Sequence, residues 1–285
     1  MNTSRRRCTE VSIRRLRSGA MIATDVRGSG EPVIFMHGLA GFKELWTETI
    51  EALGERKWTT VAFDHRGHGG SSDQPIPWSI ADLSDDLEML VDDLSLERVW
   101  LVGHSMGGRV LFHFALAHPR RIAGLVLVGA QSEAPTGWYR DELAQVLRAV
   151  RNFGLDGFRL AFRDANELPE RIDKDAAYSA WFFERFNRNR PRALETSLTA
   201  ILDMPSLTAR LSEITVPVLV VVGERDRAFT EIAQHYSSVI PSCTVVVVPG
   251  CTHYPMVDQP KHFGGILLDF LLGRGDKVAD HLPPS

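Results

Sequence analysis

The sequence predicts an α/β fold: an eight-stranded, mostly parallel sheet with helices on both faces, interrupted by a helical insertion. Three observations lead there. Short runs of Val, Ile and Leu recur along the 285 residues, each followed by a turn and then by helical spacing. These runs are continuous in apolar character, not alternating, which marks strands buried on both faces and hence a parallel sheet. One interval, 131–207, has no such run but several helical patterns.

Taken in order, "TEVSIRRL" and "AMIATDVRGSG" read as a hairpin joined at Ser18-Gly19, an antiparallel start to the sheet. Six buried strands follow: "EPVIFMHG" (31–38), "WTTVAFDHRG" (58–67), "RVWLVGHS" (98–105), "AGLVLVGA" (123–130), "PVLVVVGERD" (217–226) and "CTVVVVPGCTH" (243–253). Within the strand-free interval Leu143, Val146, Leu147 and Val150 fall at i, i+3, i+4 and i+7. Leu194, Leu198 and Ile201 repeat the pattern at i, i+4 and i+7. Residues 11–130 and 208–273 are expected to form the core, 131–207 a helical cap over the strand ends, and 1–10 and 274–285 flexible termini.

Composition narrows the function. A net charge of −4 gives no reason to expect nucleic acid or an anionic membrane as partner. The N-terminal arginines Arg5, Arg6, Arg7, Arg14, Arg15 and Arg17 are followed by no apolar run, so a secretory signal is not expected. No stretch approaches the roughly 18 apolar residues of a membrane span. Three scattered cysteines, Cys8, Cys243 and Cys251, suit neither a disulfide framework nor a thiolate metal site. A cytoplasmic protein, monomeric or homodimeric and without metal or cofactor, is expected.

The chemistry concentrates at "LVGHSMGGRV" (101–110), where a buried strand turns into a helix through Gly103-His104-Ser105-Met106-Gly107. So sharp a bend forces Ser105 into an unfavourable backbone region and requires small neighbours, and G-x-S-x-G in this setting is a nucleophile elbow. A serine hydroxyl needs a base. Of ten histidines, His253 stands out, on the loop after the last strand. His104 and His113 are expected to pack or face away, His37, His65 and His68 belong to loops, and His118, His235 and His262 fall on helix surfaces or ends. The base needs an orienting carboxylate, and Asp226 ends a strand at the sheet's carboxyl edge, where ligands bind in such folds. Glu133 is the rival acid, and Glu224 is expected within the strand end. Backbone N–H groups of Met106, directly after the serine, and of Leu39, in "MHGLAG", are candidates for an oxyanion hole. Trp46, Trp138, Trp181, Phe182, Phe183 and Phe186, with Met106, are expected to give an apolar pocket.

With these residues placed, the chain resembles the α/β-hydrolase superfamily from about residue 11 to 273. "DHRGHGGS" (64–71) looks like that superfamily's loop after the fourth strand, and "HGLAG" like its oxyanion loop. The resemblance implies a Ser-His-Asp hydrolase with a helical cap between strands six and seven, and structural roles for His65, Arg66 and Gly67. Serine at 105 argues against epoxide hydrolases and haloalkane dehalogenases, which carry an aspartate nucleophile. The loop lacks the HGGPG of proline iminopeptidases and the HGGG of hormone-sensitive-lipase-like esterases. Capped carboxylesterases and lactonases remain, acting on a small ester or lactone. Carbon–carbon bond hydrolases of ring-cleavage products and hydrolase-fold ligand receptors are the alternatives.

Overall fold

The computed structural model describes residues 9–54, 57–72, 76–164, 168–274 and 278. Arg5, Arg6, Arg7, Cys8 and most of the tail expected to be flexible lie outside them. Thr9–Arg15 (β1) and Met21–Gly28 (β2) form the antiparallel hairpin, turning through Gly19 at φ 87°. Glu31–Met36 (β3), Thr47–Leu53 (α1), Trp58–Phe63 (β4), Ile80–Asp93 (α2), Val99–His104 (β5), Met106–Ala117 (α3) and Ile122–Val128 (β6) follow. Beyond the insertion come Val218–Gly223, Thr230–Val239, Cys243–Val248, Pro255–Asp258 and Pro260–Leu271.

Among the described residues the insertion holds four helices: Gly137–Asp164 (α4), Arg171–Lys174 (α5), Ala176–Phe186 (α6) and Pro191–Asp203 (α7). The later elements are accordingly β7, α8, β8, α9 and α10. The eight strands make one sheet in the order β1-β2-β4-β3-β5-β6-β7-β8. The β1–β2 and β2–β4 pairs are antiparallel and every other pair is parallel. The predicted fold class is therefore found.

Local chemistry explains the elements that seat the site. β7 is buried at every position, as its Val/Leu run requires of a strand covered on both faces. α2 begins in a capping box: Ser79 N–H donates to Asp82 Oδ2 at 2.7 Å, and Ser79 Oγ accepts from Asp82 N–H at 3.2 Å. Its buried face, Ile80, Leu83, Leu87 and Leu90, packs on α3. Leu143, Val146 and Val150 of α4 are buried where α4 meets α7, whose Leu194, Leu198 and Ile201 are also buried. α4 bends at Gly154 (φ 60°, ψ −137°), beside Pro191 at the start of α7. Among the described residues no helix is long and apolar enough to cross a membrane.

Candidate functional site

The site stands at the carboxyl ends of the parallel strands. Ser105 joins β5 to α3 with φ 49° and ψ −112°, outside the regions favoured by L-residues. Its amide donates to Val128 O at 2.8 Å and its carbonyl accepts from Arg109 N–H at 3.1 Å, which holds the strained residue between β6 and the new helix. The glycines around it have no room for side chains. A Cβ on Gly103 would lie 2.7 Å from Gly107 C, and one on Gly107 would lie 2.6 Å from Met36 O. A Cβ on Gly108 would come within 2.4 Å of the Ala130 Cβ, so helix and sheet approach at glycine distance.

His253 and Asp226 come from the loops after β8 and β7. His253 Nδ1 lies 2.7 Å from Asp226 Oδ2, and both residues are buried, at 5% and 3% exposure. A carboxylate accepts, so Nδ1 carries the proton and Nε2 is left as the basic nitrogen. Phe229 stacks on the imidazole at 4.8 Å with 25° between planes, and the His104 ring lies 4.6 Å away. His104 Nε2 also bonds His253 O at 2.9 Å, so His104 supports the loop that carries His253.

Gly129, at the end of β6 and at φ 50°, backs this pair. A Cβ there would lie 2.7 Å from His253 Cε1, 2.8 Å from Nδ1 and 3.0 Å from Asp226 Oδ2. The reason is topological: β6 lies between β5 and β7, so its end falls between the serine and the carboxylate.

The loop after β3 abuts the elbow. A Cβ on Gly38 would come 3.0 Å from Ser105 Cβ. Behind it, His65 N–H donates to His37 Nε2 at 3.0 Å, leaving the proton on Nδ1, which donates to Gly38 O at 2.7 Å. Burial drives the His37 pKa down to about 4 and that of His68 to about 3; His65 is likewise lowered by burial and by its histidine neighbours. All three are therefore neutral at pH 7. Asp64, fully buried, accepts from Lys43 N–H at 2.6 Å, Lys43 Nζ at 3.1 Å and Gly70 N–H at 2.9 Å, tying this loop to the one after β4. Burial disfavours charge on Lys43, but Asp64 and Glu44 outweigh it and raise the pKa.

Ser105 and His253 border one narrow cavity. Leu39, Leu143, Val146, Phe162 and Ile201 form its apolar wall; Arg109, Tyr139, Glu142 and Tyr254 complete it. Arg109 is 1% exposed and reaches Glu133 O at 2.6 Å, Gln131 Oε1 at 2.9 Å and Met204 Sδ at 3.0 Å, all neutral acceptors. Burial lowers its pKa.

Of the predicted residues, Asp226 and His253 are hydrogen-bonded, and Ser105, Leu39 and His253 share the cavity. Met106 opens α3 and is fully buried. Glu133 accepts from Ser206 Oγ at 3.4 Å through its carboxylate and from Arg109 through its carbonyl. Glu224 bonds Gly250 N–H at 2.8 Å.

The aromatic pocket is corrected, for none of the predicted aromatics borders the cavity. Trp46 is fully buried between Phe35 and Phe263. Trp138 is 51% exposed and lies under Arg227. Trp181 lines a different cleft, with Glu48 and Arg171. Phe182, Phe183 and Phe186 pack on one another, with Phe42 and Phe158 as further neighbours. The residues missed, Gly129 and Arg109, each carried a signal: a glycine ending a buried strand, and an arginine four positions after the serine, hence on the same helix face.

A strained serine between strand and helix, with a buried histidine–carboxylate pair at the neighbouring strand ends, defines an α/β hydrolase. The chain belongs to that family: the sequence pattern of the alpha/beta hydrolase fold matches residues 31–260. Among its relatives is a putative 2-succinyl-6-hydroxy-2,4-cyclohexadiene-1-carboxylate synthase of Bacillus subtilis, 33% identical over 261 residues, covering 88% of this chain and 93% of that one. A putative carbamate hydrolase of Agrobacterium fabrum is 30% identical over 252 residues, covering 84% and 92%. The solved structure of a thermophilic esterase from Thermogutta terrifontis superposes with a TM-score of 0.83 at 25% identity, covering 93% and 98%.

Proposed function

We propose that the protein hydrolyses a carboxylic ester or lactone through an acyl-enzyme, with Ser105 as nucleophile, His253 as general base and Asp226 as the acid that orients it. The observation that carries this is the 2.7 Å bond between His253 Nδ1 and Asp226 Oδ2, beside the cavity that Ser105 also lines. His253 Nε2 takes the Ser105 proton as Oγ attacks the carbonyl carbon. The oxyanion is held by the amides of Leu39 and Met106; the Ser105 amide is already occupied by Val128 O. Collapse breaks the bond to the leaving oxygen, which takes the proton from His253. Water then gives a proton to the same imidazole and attacks the acyl carbon; collapse breaks the bond from Ser105 Oγ to that carbon, His253 returns the proton to Oγ, and the acid leaves.

The insertion acts as the cap in this reading, and α4 supplies the apolar wall for the acyl group. The esterase of similar structure supports an ester substrate, and the carbamate hydrolase among the relatives adds carbamates to the chemistry to be screened. The test is a panel of p-nitrophenyl esters, lactones, carbamates and ring-cleavage dienoates, with fluorophosphonate labelling. Turnover on an ester or lactone and a label on Ser105 are expected. Ser105→Ala should lower kcat by about 10⁴–10⁶-fold with the fold intact. Turnover of dienoates alone would transfer the site to carbon–carbon bond cleavage, and a label on another residue would refute Ser105.

A further inference from the structure

Asn189 lies in the insertion, at the corner between α6 and α7, and is 3% exposed. Its carboxamide bridges two loops of the core. Nδ2 donates to Ala40 O at 2.7 Å, and Oδ1 accepts from Gly69 N–H at 3.2 Å. The orientation of the amide is unambiguous, because a carbonyl only accepts and a backbone amide only donates.

Ala40 is where such a clamp matters. Residues 38–41 form a tight turn closed by Gly41 N–H donating to Gly38 O at 3.1 Å. Ala40, third in that turn, holds φ 57°, a place where type II turns favour glycine. A left-handed conformation is unfavourable for a residue with a Cβ. It persists only when the surroundings over-determine it. The same corner is fastened by Arg190 Nη1 to Ser71 O at 2.7 Å and by Phe42, whose ring lies 5.5 Å from Trp181 and 5.4 Å from Phe182.

We infer that Asn189 is a positioning residue for the oxyanion hole: through the Ala40 carbonyl it holds the 38–41 turn in the form that presents the Leu39 amide to the reacting carbonyl. The inference rests on the proposed role of Leu39. It makes the insertion a part of the catalytic geometry as well as a wall of the cavity.

The test compares Asn189→Asp, which keeps the shape and the acceptor but removes the donor to Ala40 O, with Asn189→Ala. Three quantities are read: kcat and KM on the best p-nitrophenyl ester, the inhibition constant of an alkyl boronic acid, and Tm. A boronate adduct on serine is tetrahedral and places an oxygen in the oxyanion hole, so its affinity reports that hole directly. Removing one oxyanion donor outright costs about 10²–10³-fold in kcat. Displacing one by relaxation of its turn should cost about 10–100-fold, in kcat and boronate affinity together, with KM within about threefold. Ala40→Gly in the Asn189→Ala background should return part of both, because glycine holds a left-handed turn without strain.

Unchanged kcat and boronate affinity in both variants would overturn the inference. So would a fall in kcat matched by the unfolded fraction, with boronate affinity of the folded enzyme intact. The underlying reading fails separately and visibly: wild-type protein would escape fluorophosphonate labelling and bind the boronate no better than its carbon analogue, and the role of Asn189 would fall with it.

Discussion

Gly129→Ala places a single methyl group against the proposed catalytic pair without touching substrate. The new Cβ would stand 2.7 Å from His253 Cε1, about 0.8 Å short of an ordinary ~3.5 Å carbon contact. The backbone of Gly129 cannot retreat, since its amide bonds Val221 O at 3.0 Å within the sheet. Phe229 and His104 pack on the imidazole, so the ring is driven to tilt away from Asp226. Misplacement of a catalytic group by about 1 Å costs on the order of 10²-fold. We expect kcat/KM on an ester substrate to fall by about that factor. Alanine at φ 50° adds a backbone cost of about 1–2 kcal/mol, or several degrees in Tm. Gly19→Ala is the control, with φ 87° and nothing within 4 Å of the added Cβ. It should lower Tm comparably and leave kcat/KM alone. Gly129→Ala retaining kcat/KM within twofold of wild type would refute the steric argument.

Acid should destabilise the fold through its buried histidines. His37 is neutral in the folded protein down to about pH 4, whereas an unfolded histidine takes a proton near the ordinary value of 6.5. The unfolded chain therefore binds the extra proton in that window. Stability is complete above about pH 7 and falls as pH descends from 6.5 toward 4, by about 3 kcal/mol for His37 alone. A urea midpoint independent of pH between 7 and 4.5 would contradict this. Asp86→Ala should cost about 3–5 kcal/mol in urea unfolding, because it removes the carboxylate to which the buried Arg66 guanidinium donates from Nε at 2.6 Å and also from Nη2. A loss below 1 kcal/mol would show that Arg66 finds another partner.

The sheet was legible because its signals are local. A run such as "VLVVV" has only one comfortable place, between two layers of helix. The Gly-x-Ser-x-Gly bend likewise announces itself by its spacing between strand and helix, and Gly103 answers to Gly107 and Gly108 a few residues away, whereas Gly107 answers to the distant Met36 carbonyl. What could not be read was the destination of side chains on the inserted helices. Tyr139, Leu143 and Val146 recur at i, i+4 and i+7, so their sharing a face was visible, but which object that face meets is settled by the docking of α4. The aromatics of α6 misled for the same reason: ring size attracts attention, yet Phe182 and Phe186 serve the packing within the insertion. Arg109 was hidden because its partners, the Glu133 carbonyl and the Gln131 amide, lie beyond the next strand.

The position of β8 at the margin of the sheet has a consequence for the newly made chain. It is only partly covered, with Thr244 open to water and Val246 and Val248 buried, and it has a neighbour on one side only. β7, beside it, is sealed along its whole length. Until β8 has been synthesised and docked, the outer edge of β7 stays bare and ready to pair with any passing polypeptide. The strand that delivers the imidazole is thus also the shutter that keeps the molecule from sticking to its own copies.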